Sequence, residues 1–112
     1  MRLTLTLETL LSQLGSFSWH LDVYKALEQP LSPTMSVLII DDELEEERDQ
    51  QDEPLYPQTQ GYQFFLSIAD LQSIKANLVQ QLPHATLHDI IHAVSYYYQN
   101  EALFPKSVEL KP

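Results

Sequence analysis

Leu7, Leu10, Leu11 and Leu14 fall at the i, i+3, i+4 and i+7 spacing of one helix face, which predicts a helix over 7–14. Thr6 stands at its N-cap, Glu8 lies favourably in its first turn, and Gly15 supplies the C-terminal stop. The period then changes to two. Trp19, Leu21 and Val23 alternate with His20, Asp22 and Tyr24, as in a strand with one buried face. Pro30, Ser32 and Pro33 mark a turn, and the continuous run Val37–Ile40 reads as a central strand buried on both faces. A third strand over Tyr62–Leu66 leads into Ser67, which caps a helix carrying Asp70 at its third position. Leu71, Ile74, Leu78 and Leu82 form the buried face of that helix, and Pro83 ends it. Thr86 opens a last helix with Asp89 at its third position and a stripe of Leu87, Ile90, Ile91, Val94 and Tyr98. Trp19, Ile39, Leu71 and Ile91 are expected in the core, each sitting on the apolar phase of its element.

The pattern predicts an α+β fold, about three helices packed on a roughly three-stranded sheet, while leaving the strand order open. At 112 residues the chain is expected to form a single domain over 1–112, with one core. The tail docks through Leu103 and Phe104, then frays over 105–112. No internal repeat is present.

Between Asp41 and Glu53, nine carboxylates stand in thirteen residues with Arg48 as the only base, a net charge of −8; the other 99 residues carry −2. The segment continues through Pro54, Pro57 and Gly61, so 41–61 is expected to be a long acidic surface loop. Such a run is tolerated where water, a metal or a cationic partner screens it. It reads as a solvated insertion, as a docking surface for a basic protein, or as a mimic of nucleic-acid phosphates. A calcium loop needs a glycine near its middle, and none lies between residues 16 and 60. With a pI near 4.5 and six lysines and arginines, neither nucleic acid nor an anionic membrane is an expected partner. The absence of cysteine removes disulfides and thiolate chemistry and suits a reducing cytoplasm. No signal peptide is read at the N-terminus, and the longest apolar run is too short to cross a bilayer.

Candidate chemistry is sparse. His84, His88 and His92 recur every four residues, and His88 with His92 has the spacing of a zinc-binding helix. The glutamate of the metalloprotease motif is missing, since Asp89-Ile90-Ile91 follows His88, and no third ligand is evident. No metal or cofactor is therefore expected. The nine serines fall in no nucleophile elbow, and Gly15 and Gly61 cannot build a phosphate cradle, so catalytic residues are not expected either. Tyr96-Tyr97-Tyr98 covers most of a helix circumference. Tyr98 extends the buried stripe, leaving Tyr96 and Tyr97 to pack under the tail or to anchor a partner.

The stretch from the aromatic strand through Ser67-Ile68-Ala69-Asp70-Leu71-Gln72, with Asn77 and Gln80 behind it, and on to Ala93-Val94-Ser95-Tyr96-Tyr97-Tyr98-Gln99-Asn100-Glu101-Ala102-Leu103-Phe104 resembles a family of small acidic bacterial proteins. That family includes immunity proteins of contact-dependent or polymorphic toxin systems, and the likeness covers about the last 40% of the chain. It implies a non-enzymatic protein of the bacterial cytoplasm that forms a heterodimer with a cognate basic toxin and neutralises it. The physical reading runs parallel, because nuclease toxins carry basic clefts that a small acidic protein complements. The partner-binding residues expected are Asp41, Asp42, Glu43, Glu45, Glu46, Glu47 and Asp49, with Tyr56, Tyr96 and Tyr97 as aromatic anchors. The alternatives are an adaptor or regulatory module of a larger complex, and a zinc-dependent hydrolase using His88 and His92.

Overall fold

In the computed structural model, which describes residues 1–100, the chain begins with a strand that the helical reading passed over. In β1 (Arg2–Thr6), Leu3 and Leu5 alternate with Arg2, Thr4 and Thr6. It pairs antiparallel with β3 (Ser36–Ile40), which pairs antiparallel with β2 (Asp22–Ala26), which pairs antiparallel with β4 (Tyr62–Ser67). The sheet order is β1-β3-β2-β4, so β3 is interior, as its unbroken apolar run predicts. The fold is α+β, with four strands and four helices among the described residues where about three of each were expected. The expected docking of Leu103 and Phe104 and the tail at 105–112 lie outside the described residues.

Local chemistry sets the helix starts. At α1 (Leu7–Ser12), Thr6 Oγ1 accepts the N–H of Thr9. At α3 (Ile68–Gln81), Ser67 Oγ accepts the N–H of Asp70 at 3.0 Å while Asp70 accepts the N–H of Ser67 at 3.3 Å, a complete capping box. Thr86 and Asp89 repeat the exchange at α4 (Leu87–Asn100). Gln72 donates to the carbonyls of Leu14 and Phe17, and Lys75 to that of Leu11, so α3 ties down the end of α1 and the turn that follows it.

Two covers follow from the pleat. Val23, Val37 and Ile39 meet Leu7, Leu10, Leu11, Leu71, Ile74, Ile91 and Val94, which buries one sheet face under α1, α3 and α4. Tyr24, Leu38 and Ile40 point the other way and are buried as well, against Tyr56 and Tyr62. Tyr62 reaches past the small Ala26 to bond Ser36 Oγ at 2.7 Å. A bulge opposite Val23 and Tyr24 pairs Val23 with Leu66 and Tyr24 with Phe64, so Phe65 turns into the helical core while Phe64 stays on the far face.

Ile39, Leu71 and Ile91 are buried as expected, and Trp19 is not: it is 69% exposed. β2 starts at Asp22, so the alternation read from Trp19 belongs in part to the preceding turn, closed by Leu21 N–H to Ser18 O. Leu82, Leu87 and Tyr98, expected on the buried stripes of their helices, are exposed instead, with Tyr98 tilted against Phe65. Among the described residues no helix is long and apolar enough to cross a membrane.

Candidate protein-binding surface

The acidic segment, expected as a loop, is a folded cap over the second sheet face. Asp41 Oδ1 accepts the N–H of Glu43 and starts a 3-10 turn over Asp42–Leu44. Glu45 follows, 6% exposed, with its two oxygens held by Arg2 Nε at 3.1 Å and Nη2 at 3.0 Å. The same guanidinium stacks 3.8 Å from the Tyr56 ring centroid. A buried carboxylate needs such a bidentate partner, and β1 supplies it from 43 residues away.

Arg48 organises the rest. It donates to the backbone oxygens of Asp42, Glu45 and Asp52 and also contacts the Asp42 carboxylate at 3.2 Å. Beyond it, Arg48 bridges to Pro54 around a tight turn. Asp49 accepts the N–H groups of Gln51 and Glu53 and the amide of Gln58, and Asp52 takes a left-handed conformation at φ 64°. Pro54 and Pro57 are buried, and α2 (Leu55–Thr59) lays Tyr56 on Leu38 and Ile40.

These contacts leave electrostatic marks. Hydrogen bonds to Glu45 and Asp42 raise the pKa of Arg2 and Arg48, against an opposing effect of burial. The Glu53 N–H, Gln58 and the Gln51 N–H hold Asp49 below the ordinary carboxylate value. Asp22 is pushed up, first by burial and then by the neighbouring carboxylates Asp42, Glu53, Asp70 and Asp41. Burial, followed by Asp22 and Glu53, pushes Tyr24 up as well.

Of the acids expected to bind a partner, Asp41, Asp42, Glu45 and Asp49 are engaged within the cap, while Glu43, Glu46 and Glu47 are exposed. Tyr56 is part of the seal between cap and sheet. Tyr96 and Tyr97 lie on α4, in the helical layer, so they are not brought together with the acids. Tyr97 is half-buried against the core and donates to Asp70 Oδ1 at 3.3 Å.

The pattern reading missed Asp22, Leu27, Asp52, Glu53 and Phe64. Two adjoining clefts gather them: one of about 410 Å³ lined by Asp22, Tyr24, Asp42, Arg48, Asp52, Glu53 and Phe64, and one of about 390 Å³ lined by Tyr24, Leu27, Glu53, Pro54, Tyr62 and Phe64 among others. The available signal was the adjacent pair Phe64-Phe65, since neighbours in a regular strand cannot both enter one core. A further cleft of about 360 Å³ lies between Arg2, Glu45–Glu47 and Tyr56.

All four basic side chains among the described residues are engaged inside the fold. Arg2 and Arg48 hold carboxylates, Lys25 bonds the carbonyls of Ala26 and Gln29, and Lys75 that of Leu11. Ser18 Oγ meets His20 Nδ1 at 2.6 Å, and His20 Nε2 meets Asp41 Oδ2 at 3.2 Å. The order is that of a hydrolase relay, yet Ser18 sits in an exposed turn instead of a strand-to-helix elbow, and the contact ties that turn to the cap. His84, His88 and His92 are exposed, and no group of three or more metal-ligating side chains converges among the described residues.

No curated protein and no solved structure matches the chain. Over residues 4–105 it matches the family model described as Domain of unknown function (DUF7716), and the chain belongs to that family.

Proposed function

We propose that this protein is a non-enzymatic binding domain that holds a basic protein against its acidic cap, and that the partner is a cognate toxin, most simply a nuclease, neutralised as a heterodimer in the bacterial cytoplasm by occlusion of its basic cleft. The observation that carries the reading is the one-sided charge of the surface. Glu43, Glu46, Glu47, Asp52 and Glu53 are exposed on a fixed scaffold, and each described basic side chain is already engaged elsewhere. A fixed field of one sign attracts an opposite surface at long range, rejects like-charged partners, and needs little ordering on contact. Asp41, Asp42, Glu45 and Asp49 hold the scaffold in shape, and Tyr56 seats it on the sheet.

The test is binding kinetics against a basic toxin domain encoded beside the gene, over a salt series, together with protection of cells that express the toxin. Association is expected to slow steeply as the Debye length shrinks to about 8 Å. Replacing Glu43, Glu46 and Glu47 with Gln is expected to slow association more than it speeds dissociation. A salt-insensitive association rate, unchanged in the triple variant, would refute the reading.

A further inference from the structure

The cap leaves part of the far sheet face open. Its margin at Glu53, Pro54 and Gln58 forms one wall of a groove whose other lining includes Tyr24, Leu27 and, from β4, Tyr62, Gln63 and Phe64. Phe64 remains 48% exposed there and Leu27 53% exposed. The bulge explains why: with Phe65 turned into the helical core, Phe64 is left on the cap side, edge-on to Tyr24 with ring centroids 5.6 Å apart. An exposed phenylalanine on the floor of a groove, beside a second exposed apolar side chain, is an apolar seat without a cover among the described residues. Scattered exposed leucines need no explanation, but this grouping does.

The surroundings define what fits. The groove shares Tyr24, Phe64 and Glu53 with the neighbouring cleft, where Asp22, Asp42 and Asp52 converge. The one cation there, Arg48, is taken up by Asp42 and by the backbone oxygens of Asp42, Glu45 and Asp52. Asp42 and Asp52 share Arg48, so four carboxylates and one already paired cation border the apolar floor, with no free base beside them among the described residues. A second copy of this chain would bring its own net charge of −10 to the same place and be repelled. An apolar centre inside a charged rim is the arrangement of a binding hot spot.

We infer that this groove is the anchor site of the interaction, and that it takes an apolar side chain from a lysine- or arginine-bearing segment of the partner. The inference rests on the reading of a basic partner and moves the aromatic anchor from Tyr96 and Tyr97 to Phe64. The basic side chains reach Asp22, Asp52 and Glu53, while the apolar side chain displaces water from Tyr24, Leu27 and Phe64.

A probe peptide of lysines flanking one central leucine tests this by NMR on the full chain at millimolar peptide. Three comparison peptides carry serine for the leucine, glutamates for the lysines, or both changes. The leucine–lysine peptide is expected to shift resonances of Leu27, Tyr62, Gln63 and Phe64, and to bind about tenfold more tightly than its serine counterpart. Phe64→Ala, at a half-exposed position, is expected to leave the melt close to the parent's and to remove that tenfold preference. Asp52→Asn with Glu53→Gln is expected to weaken both lysine peptides and reduce their salt dependence. If the lysine peptides bind the acidic cap but the leucine adds nothing, or Phe64→Ala keeps the preference, the groove is not the anchor while the basic-partner reading stands. If no lysine peptide binds, or the glutamate peptides bind as well, both fall. Concentration-dependent broadening of Phe64 without peptide would assign the groove to a second copy and overturn the inference.

Discussion

Leu38→Ala separates a structural cap from a solvated acidic loop. Leu38 is 2% exposed on the sheet face away from the helices, and its apolar neighbours are Tyr24, Ile40, Tyr56 and Tyr62. Tyr56 reaches it only because the acidic segment is folded down. Truncating a buried leucine costs about 2–5 kcal/mol, depending on how far the site collapses. This cluster is small, and Tyr56 and Tyr62 are half-buried rings with room to settle inward, which places the expectation at about 2–3 kcal/mol. At about 4–8 °C per kcal/mol for a domain of this size, the midpoint should fall by roughly 8–24 °C. Far-UV circular dichroism melts and urea titrations on parent and variant measure it, with an unchanged m-value showing that the denatured state is not the cause. Were the segment a mobile loop, Leu38 would face water and its truncation would lie within about 0.5 kcal/mol of the parent. A melt that close would refute the cap.

Within the cap, single acids should behave differently. Glu45→Gln is expected to lower the melting midpoint clearly, because it breaks the bidentate contact with Arg2 at a buried position. Glu43, Glu46 and Glu47 changed together to Gln should leave the midpoint unchanged or slightly raised; equal effects of the two variants in thermal melts would count against the assignment. Asp22 has a folded pKa raised above its unfolded value, chiefly by burial, so its ionisation destabilises the fold as pH rises through that window. Asp22→Asn should therefore melt higher than the parent at neutral pH and lose its advantage in acid; identical melts at both pH values would contradict this. Asp49 and Asp89 have the opposite sign: donors lower their pKa, so their stabilisation is present above the unfolded value and is lost as pH falls through the folded one.

What could be read from the sequence was what is decided locally. The caps at Thr6, Ser67 and Thr86 depend on neighbours three residues away, and all three form as their residues dictate. The run Val37–Ile40 needs burial on both sides wherever it goes, so its interior place followed without knowledge of the topology. β1 was passed over because its alternation runs straight into the leucines of α1: Leu3, Leu5 and Leu7 continue one period across the Thr6 cap. The Trp19 error has the same root, a period of two extended across a turn. Tyr24 and the acidic segment were misplaced for a different reason. Alternation assigns one wet face, whereas this sheet has a second cover drawn from the most charged part of the chain. Pro54, Leu55, Tyr56 and Pro57 carried that message, outnumbered by carboxylates. The pairing of Glu45 with Arg2 is non-local, and no count of charges contains it.

The manner in which the cap is held bears on its use. Arg48 directs donors to three backbone oxygens, those of Asp42, Glu45 and Asp52, and Arg2 faces a carboxylate already withdrawn from water. Both arginines therefore fix the path of the chain and leave the outer carboxylates Glu43, Glu46, Glu47 and Glu53 without a compensating ion pair among the described residues. That state is strained by mutual repulsion, and the folding of Leu38, Ile40 and Tyr56 into one cluster offsets it. Charge serving solubility alone works as well on a mobile chain, which lets the repelling groups spread apart. Holding them in place is of use when something must find them in register, because a disordered acidic segment would lose its freedom at the moment of contact and bind more weakly for it. On the proposed reading, the unneutralised carboxylates and the exposed Phe64, which Glu53 adjoins, belong to one surface, the charge setting how fast a cationic partner would arrive and the apolar seat how long it would stay.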